Sequence, residues 1–537
     1  MAASDDDDPE RLSTFALRRR RDRFRKELRD LLSIADPTEF LQLVWSLASL
    51  HEGEFSRARR FGPDFSLPEM ELAKERFRFA PWLLETLVNE YLTTSQRSGP
   101  RRLNVKNHNA ANALISKLVE LENAEDGVWL KAGNILHLVG HLAQRQFPWQ
   151  RGYDYFLQLY RSLFVFDFPD ALARFEENVG ISVERFAFCG FALRAHLASH
   201  PFASMSIDLS DLKIGKRERD IVFKKLSLPL LQARTAASTL RGEAGLTGYK
   251  KSALRLSPCI VLPGDTHLIA PLPALITLRI SNGVYYDIVG PGGINEQMGK
   301  RFEDYVAMLI DGFLPEITTI REKPYAPKKG TNYRSSDLAL LSDGTVSLLI
   351  ECKAKRASHA SKFAESAAEA EGLADLAYGI FQIWRHVAHR RLGHVDANLE
   401  FSPALKGVLL TLDTWADMSS TLQAEIFRLA HQIRQVKGAE ITDEDLVPVG
   451  FTHIQDFEGL LATATPSSLI RAVELWLHDP EYKGWSLWSV HEKNPGRAPI
   501  DERPLFDRFP KPSGMRWLIR EAAGSSARTT TESQLGD

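Results

Sequence analysis

The stretch Tyr333-Arg-Ser-Ser-Asp337-Leu-Ala-Leu-Leu-Ser-Asp-Gly-Thr-Val-Ser-Leu-Leu-Ile-Glu351-Cys-Lys353-Ala-Lys-Arg356 decides the reading of the fold. Two β-rich runs, Ser335–Leu341 and Thr345–Lys353, flank Asp343-Gly344, a dipeptide that favours a tight hairpin. A two-residue loop sets Asp337 opposite Ile350, and a three-residue loop sets it opposite Glu351. Directly opposed Cβ atoms are about 5 Å apart, so Asp337 and Glu351 can share one metal ion, most cleanly in the three-residue register. Side chains alternate along a strand, so Glu351 and Lys353 share a face while Ile350 and Cys352 point the other way. Two carboxylates and an ammonium beside the largely apolar strand Val346–Ile350 are costly without a function or a bound ion. A hard divalent cation resolves the repulsion between the carboxylates through oxygen ligation. It would also polarise a phosphate and acidify a bound water, while Lys353 orients that water or neutralises developing charge.

Outward from this hairpin the elements form an ordered series. A helix is predicted from about Glu296 to Gly312, a strand at Ile317–Lys323, the two hairpin strands, a long Ala/Glu/Leu-rich helix at Lys362–Arg391, and a strand at Lys406–Leu412. A helix (Thr421–Gln435), a strand (Leu446–His453) and helices near Phe457–Leu461 and Ser467–Leu477 follow. Upstream, Ser257–Leu262 reads as a short strand before a turn at Pro263-Gly264-Asp265. Leu275–Ile280 and Val284–Val289 read as strands of a hairpin across Ser281-Asn282-Gly283. The Gly/Pro loop Gly290–Gly293 leads into the Glu296 helix.

The triad Asp337, Glu351 and Lys353, with thirteen residues between Asp and Glu, resembles the PD-(D/E)xK, or restriction-endonuclease-like, nuclease superfamily. The helix–strand–strand–strand–helix–strand order over about residues 296–413 is similar to that family's core. Glu303 stands where the family often carries an acidic residue on its first core helix, and Gln382 resembles a glutamine that some branches carry on the second. Ser336 replaces the family's proline. The resemblance implies Asp337, Glu351, Lys353, Glu303 and Gln382 as catalytic residues. It implies Asp337, Glu351 and Glu303 as ligands of Mg²⁺, for which Mn²⁺ can substitute. Lys328, Lys329, Arg334, Lys355 and Arg356 surround the motif and are candidate contacts to nucleic-acid phosphates, as are Lys362, Arg385, Arg390 and Arg391.

The first half of the chain has a different texture. Apolar positions recur at three and four through Trp82–Tyr91, Ala111–Leu121, Ile135–Leu142, Tyr155–Phe164 and Phe188–Leu197, with loops expected at Gly62-Pro63, Ser98-Gly99-Pro100 and Phe147-Pro148. Arg11–Asp36 has helical spacing and carries nine basic residues up to Arg29 against Asp22 and Glu27. Such a face is ordinarily solvated. Asp36-Pro37-Thr38-Glu39 is a helix start.

Composition sets the outer limits. Of 537 residues, 44% are hydrophobic and 25% charged, which excludes a largely disordered or collagen-like chain. Net charge is −2, so any polyanion contact must be local. No apolar run approaches the roughly 20 residues of a membrane span. The acidic start, Met1-Ala-Ala-Ser-Asp, is unlike a secretory signal. Cys189, Cys259 and Cys352 match no zinc spacing and suit a reducing compartment. The chain is therefore read as cytoplasmic.

Two other patterns fail on their chemistry. Gly293–Lys300 misses phosphate-loop spacing by one residue, and Arg301 stands where Ser or Thr is needed. His137/His141 and His196/His200 lack the enclosed Glu of a zinc-protease helix.

The fold expected is α+β and multidomain: a large helical N-terminal region, then a restriction-endonuclease-like αβββαβ core with added C-terminal helices. The expected division is residues 1–10 disordered, 11–250 helical accessory or sensor region, 251–295 β-hairpin linker, 296–480 nuclease domain, and 481–537 Pro-rich loop and disordered tail. The implied function is a metal-dependent endonuclease, with DNA favoured over RNA, serving as a prokaryotic anti-phage or restriction-type effector. A protein trigger or partner would act through the helical region, with no membrane involved. The alternatives are a nucleic-acid-binding scaffold with an inactive nuclease-like core, and an RNA-directed nuclease.

Overall fold

The computed structural model describes residues 13–63, 79–130, 135–153, 156–242, 246–264, 266–289, 294–356, 358–364, 370–414, 416–417, 419–499 and 509–515. The expected disorder at residues 1–10 and after Ala523, and the loop Gly290–Gly293, lie outside these. The chain is a mixed α/β protein.

Helices form in the first half where the apolar spacing predicts them. Ser13 caps Thr14–Leu32, which buries Leu17, Phe24, Leu28 and Leu32 and leaves most of its arginines at the surface. Asp36 caps Pro37–His51 by accepting from Thr38 and Glu39 N–H. Pro81–Thr93, His108–Leu130, Ile135–Arg151, Phe156–Val165 and Val183–Ser199 follow. The expected loop at Phe147-Pro148 does not form, and the helix Ile135–Arg151 runs through Pro148.

The predicted hairpin around Asn282-Gly283 is not present. Ala274–Ile280 is a helix, Asn282–Val284 a 3-10 turn and Tyr285–Ile288 a further helical turn. Ile276, Ile280, Val284 and Ile288 are all buried in one core at a spacing of four. That period is helical, and the β-branched composition masks it in the sequence.

The short strands instead fall earlier: β1 (Phe202–Ser204), β2 (Ser227–Pro229), β3 (Cys259–Val261) and β4 (His267–Ile269). They form one sheet in the order β1-β4-β3-β2, with β3 and β4 antiparallel. This sheet joins residues from both sides of the boundary expected near 250, and the hydrophobic cores also cross it. One core runs from Leu159 to Met515 and another from Phe24 to Leu275. The tail expected to be loop from 481 includes the helix Leu487–Lys493 and buried Phe509 and Met515.

The hairpin region forms the second sheet. Its strands are β5 (Thr318–Arg321), β8 (Leu338–Ser342), β9 (Thr345–Lys353), β10 (Glu400–Thr411) and β11 (Val449–His453), in the order β11-β10-β9-β8-β5. A two-stranded ribbon, β6 (Pro324–Tyr325) with β7 (Tyr333–Arg334), lies between β5 and β8 in the chain. β8 is antiparallel to β5 and β9, while β9, β10 and β11 are parallel. The helix Ile294–Phe313 shares a core with Leu338, Leu340, Leu348 and Ile350 on one face. The helix Leu373–Arg391 shares another with Ala339, Val346, Leu349 and Leu409. This second helix is shorter than expected. A short helical turn, His359–Lys362, precedes it, and it begins only after Gly372, whose φ of +84° is left-handed.

Candidate active site

The turn is built by Asp343 and Gly344, with φ of +52° and +80°. Positive φ at both central residues is the two-residue hairpin geometry that suits strand twist. A two-residue loop alone would set Asp337 opposite Ile350. The register shifts, however, between Leu340 and Leu341. Leu341 pairs with Val346, but Leu340 pairs with Leu348 and Leu338 with Ile350, leaving Ser347 as the extra residue of a bulge. A bulge of this kind re-aims every side chain beyond it. Asp337 is thereby brought level with Glu351, and its carbonyl accepts from Glu322 N–H at 3.0 Å, extending the pairing with β5.

Asp337 and Glu351 are both buried, at 6% and 1% exposure. Asp337 Oδ2 accepts the Cys352 N–H at 2.7 Å. Lys353 Nζ donates to Glu351 Oε1 at 2.8 Å and to Gln382 Oε1 at 3.0 Å. Glu351 Oε2 is buried with no hydrogen-bond partner. Burial, with Glu351 and Glu303 nearby, pushes the Asp337 carboxyl well above its ordinary value, although Lys353 and the Cys352 N–H oppose this. Burial works against the charge on Lys353, but Glu351 and Asp337 outweigh it and raise its pKa.

The helix Leu373–Arg391 approaches β9 closely. A Cβ at Gly379 would stand 2.6 Å from Leu409 Cδ1 and 2.8 Å from Lys353 Cε. Only glycine allows Gln382, one turn on, to reach Lys353 at this separation. Ser336 also acquires a role. Its N–H donates to His386 Nδ1 at 3.2 Å, and His386 Nε2 faces Asp396 at 3.2 Å. A proline there would have no N–H to give. Asp396 is held down to about 2 by the His386 hydrogen bond and by Lys323, against burial.

Of the five residues expected to be catalytic, Glu351, Lys353 and Gln382 are joined by hydrogen bonds through Lys353 Nζ, and Asp337 bonds the backbone N–H of Cys352 between Glu351 and Lys353. Glu303 lies close enough for its charge to raise the Asp337 pKa and for Glu351 to raise its own. It pairs with Lys300 at 2.6 Å on its own helix, one turn away. Burial raises its pKa, with Glu322 and Glu351 adding to the rise and Lys300 opposing it.

The expected phosphate contacts divide. Lys328 and Lys329 are exposed in the segment between β6 and β7. Arg334 is exposed but pairs with Glu322 at 2.7 Å, and Lys355 pairs with Asp375. Arg356 is turned away from the triad, into a cavity. Lys362 pairs with Asp413, Arg385 is buried over the Tyr333 ring, Arg390 bonds the Leu399 carbonyl and Arg391 pairs with Asp445. Long cationic side chains near carboxylates are satisfied locally, which charge counting along the sequence does not reveal.

Sequence reasoning missed one further cluster. Asp417, His453 and Asp456 are buried with their ligand atoms within 4.8 Å of one another, so they could hold a metal ion. His453 Nδ1 is 2.9 Å from Asp417 Oδ2. Arg151 from the helical half already supplies a positive charge, at 2.6 Å from Asp456 and 2.7 Å from His453 Nε2. The only sequence signal was His453 and Asp456 three apart at the end of β11, and nothing local links them to Asp417 or Arg151. No described helix is long and apolar enough to cross a membrane. Compared with known proteins, the chain matches no family model, no curated protein and no solved structure.

Proposed function

We propose that the protein is a metal-dependent nuclease hydrolysing phosphodiester bonds, with a restriction-endonuclease-like core and DNA favoured over RNA as substrate. The observation that carries this reading is the buried Asp337–Glu351 pair with Glu351 Oε2 unpartnered beside Lys353. A buried, unsatisfied carboxylate oxygen is costly, and oxygen-rich sites of this kind suit Mg²⁺. Asp337 and Glu351 would hold the ion, which when bound polarises a phosphate oxygen and lowers the pKa of a bound water.

The chain's own residues supply the rest. Gln382 and Glu351 hold Lys353 Nζ from two sides, so its positive charge is fixed before substrate arrives. The Cys352 N–H fixes one Asp337 oxygen and so sets the carboxylate plane. Burial and the neighbouring carboxylates push the Asp337 carboxyl up, so a bound cation would favour its ionised form and metal binding should strengthen as pH rises. Exposed Lys328 and Lys329 are free to track a phosphate backbone. The setting in anti-phage defence or restriction follows from the family resemblance alone, and the cytoplasmic setting from the three free cysteines, which suit a reducing compartment.

The test is incubation of the purified chain with plasmid, linear single- and double-stranded DNA, and RNA, each with EDTA, Mg²⁺ or Mn²⁺. Metal-dependent cutting of DNA that Asp337→Ala and Glu351→Ala abolish is expected. No cutting of any substrate with either metal would favour the inactive scaffold, and cutting of RNA alone would reassign the substrate.

A further inference from the structure

A cavity of about 610 Å³ lies where the helical half meets the C-terminal ends of the parallel strands. Arg356 enters it three residues after β9, Leu412–Thr414 after β10, and His453 at the end of β11. Ligands of open α/β sheets commonly bind at such strand ends, and sites for small molecules span roughly 300–1,000 Å³. Asp337, Glu351 and Lys353 are not among its lining residues, so the cavity is separate from the candidate active site.

The charge of the lining can be resolved pair by pair. Eight Arg and Lys residues line the cavity, against only Glu85 and Asp413. Arg255 is taken by Glu85 and Lys362 by Asp413. Arg145, Arg161 and Arg241 are taken by Glu122, Glu458 and Glu90 behind the wall. Lys250, Lys251 and Arg356 remain without an ion-pair partner among the described residues. Among the described residues Arg356 bonds only the Asn282 carbonyl, and its Nε is buried and unpartnered. A positive field is evident at His359, whose pKa falls to about 4 through burial and through Arg255, Lys251 and Lys362.

The remaining lining supplies groups of two further kinds. The Arg356 guanidinium sits 4.8 Å over the Tyr285 ring, and Tyr286 beside it is 66% exposed. Tyr153 Oη, Gln158 Nε2 and Tyr249 Oη are buried and unpartnered on residues that line the cavity. Surplus positive charge, an open aromatic face and spare hydrogen-bonding groups match a phosphate, a planar base and its polar edges.

We propose that this cavity binds a nucleoside phosphate, with Lys250, Lys251 and Arg356 on the phosphate and the Tyr285–Tyr286 edge against the base. The same chemistry is offered by a free nucleotide and by the 5′-phosphorylated end of a strand. The test is calorimetric titration of the full chain in EDTA, so that its outcome is independent of the metal-site reading. The probes are adenosine and cytidine 5′-monophosphates, adenosine, inorganic phosphate and a short 5′-phosphorylated single strand. Saturable one-to-one binding of a monophosphate is expected, with adenosine and phosphate each much weaker. Arg356→Met and Lys251→Met should each weaken it roughly tenfold or more, as loss of a charge-assisted hydrogen bond does. Binding of the phosphorylated strand alone, with the same sensitivity, would uphold the chemistry and identify the source as a strand end. If Arg356→Met fails to fold by circular dichroism, exposed Lys251 carries the test. Absence of binding by every probe, binding of inorganic phosphate as tight as that of the nucleotides, or indifference to the substitutions would overturn the proposal.

Discussion

Asp337→Asn is the cleanest perturbation of the candidate active site. Asparagine keeps an oxygen that can accept the Cys352 N–H, now 2.7 Å from Asp337 Oδ2, so the change is chiefly one of charge. Burial, Glu351 and Glu303 raise the Asp337 pKa, so in the metal-free protein the carboxylate form is disfavoured relative to the unfolded chain. The sign follows from linkage. The stability associated with the protonated form is fully present below the ordinary carboxylate value of about 3.9, and is lost as pH rises through the elevated folded value. Each unit of elevation costs the folded state about 1.4 kcal/mol above both values. In EDTA at pH 8 the Asp337→Asn chain should therefore be more stable than the parent, and the difference should vanish in acid. With Mg²⁺ at 100 times its dissociation constant the parent gains about 2.7 kcal/mol, and the variant gains little. Because the cooperative unit is large, the metal should raise the parent's melting transition by only a few degrees. The order of stability should thus reverse between EDTA and Mg²⁺. Differential scanning fluorimetry across pH 4–9 with and without metal measures both arms. If the variant melts below the parent in EDTA at pH 8 and still shows the full metal shift, Asp337 is neither strained nor a ligand.

The other predictions are independent of that one. Lys353→Met should bind metal and nucleic acid yet cleave about 10²–10³-fold more slowly in a plasmid-nicking assay, as loss of a preorganised charge does. Lys355→Met, at a position where the lysine pairs with Asp375, should cut like the parent. Gly379→Ala places a methyl 2.8 Å from Lys353 Cε. Overpacking should cost about 1–3 kcal/mol and lower kcat while leaving metal affinity near the parent's, and an unchanged kcat would contradict the close approach of helix to strand. Asp126 is pushed up to about 7 by burial and by Glu122 and Glu125. Asp126→Asn should therefore stabilise the chain by about 2 kcal/mol at pH 8, after allowance for partial exposure, and be neutral near pH 4, which melting curves at the two pH values compare. A fragment of residues 1–245 retains β1 and β2 but loses their partners β4 and β3. It should lack a cooperative melting transition by circular dichroism, and a sharp one would mean that the helical half folds alone.

What was legible in the sequence was local. Asp343-Gly344 between alternating runs specifies a hairpin, because both residues tolerate positive φ and the alternation assigns the faces. Strand β9 accordingly ends at Lys353 as expected, and Glu351 and Lys353 share the face that meets Gln382. The helical periods of the first half were legible for the same reason. What only the tertiary structure decided involves residues that meet across the chain. The bulge at Ser347 sets Asp337 level with Glu351, yet the sequence fits a plain two-residue loop, a bulged one and a three-residue loop alike. Ile276, Ile280, Val284 and Ile288 became helical because one core takes all four, although their β-branched chemistry favours strands. Arg356 reads as one more cation beside the triad. Its position in the cavity follows from where β9, β10 and β11 end against the helical half, which is a property of packing rather than of any neighbouring residue.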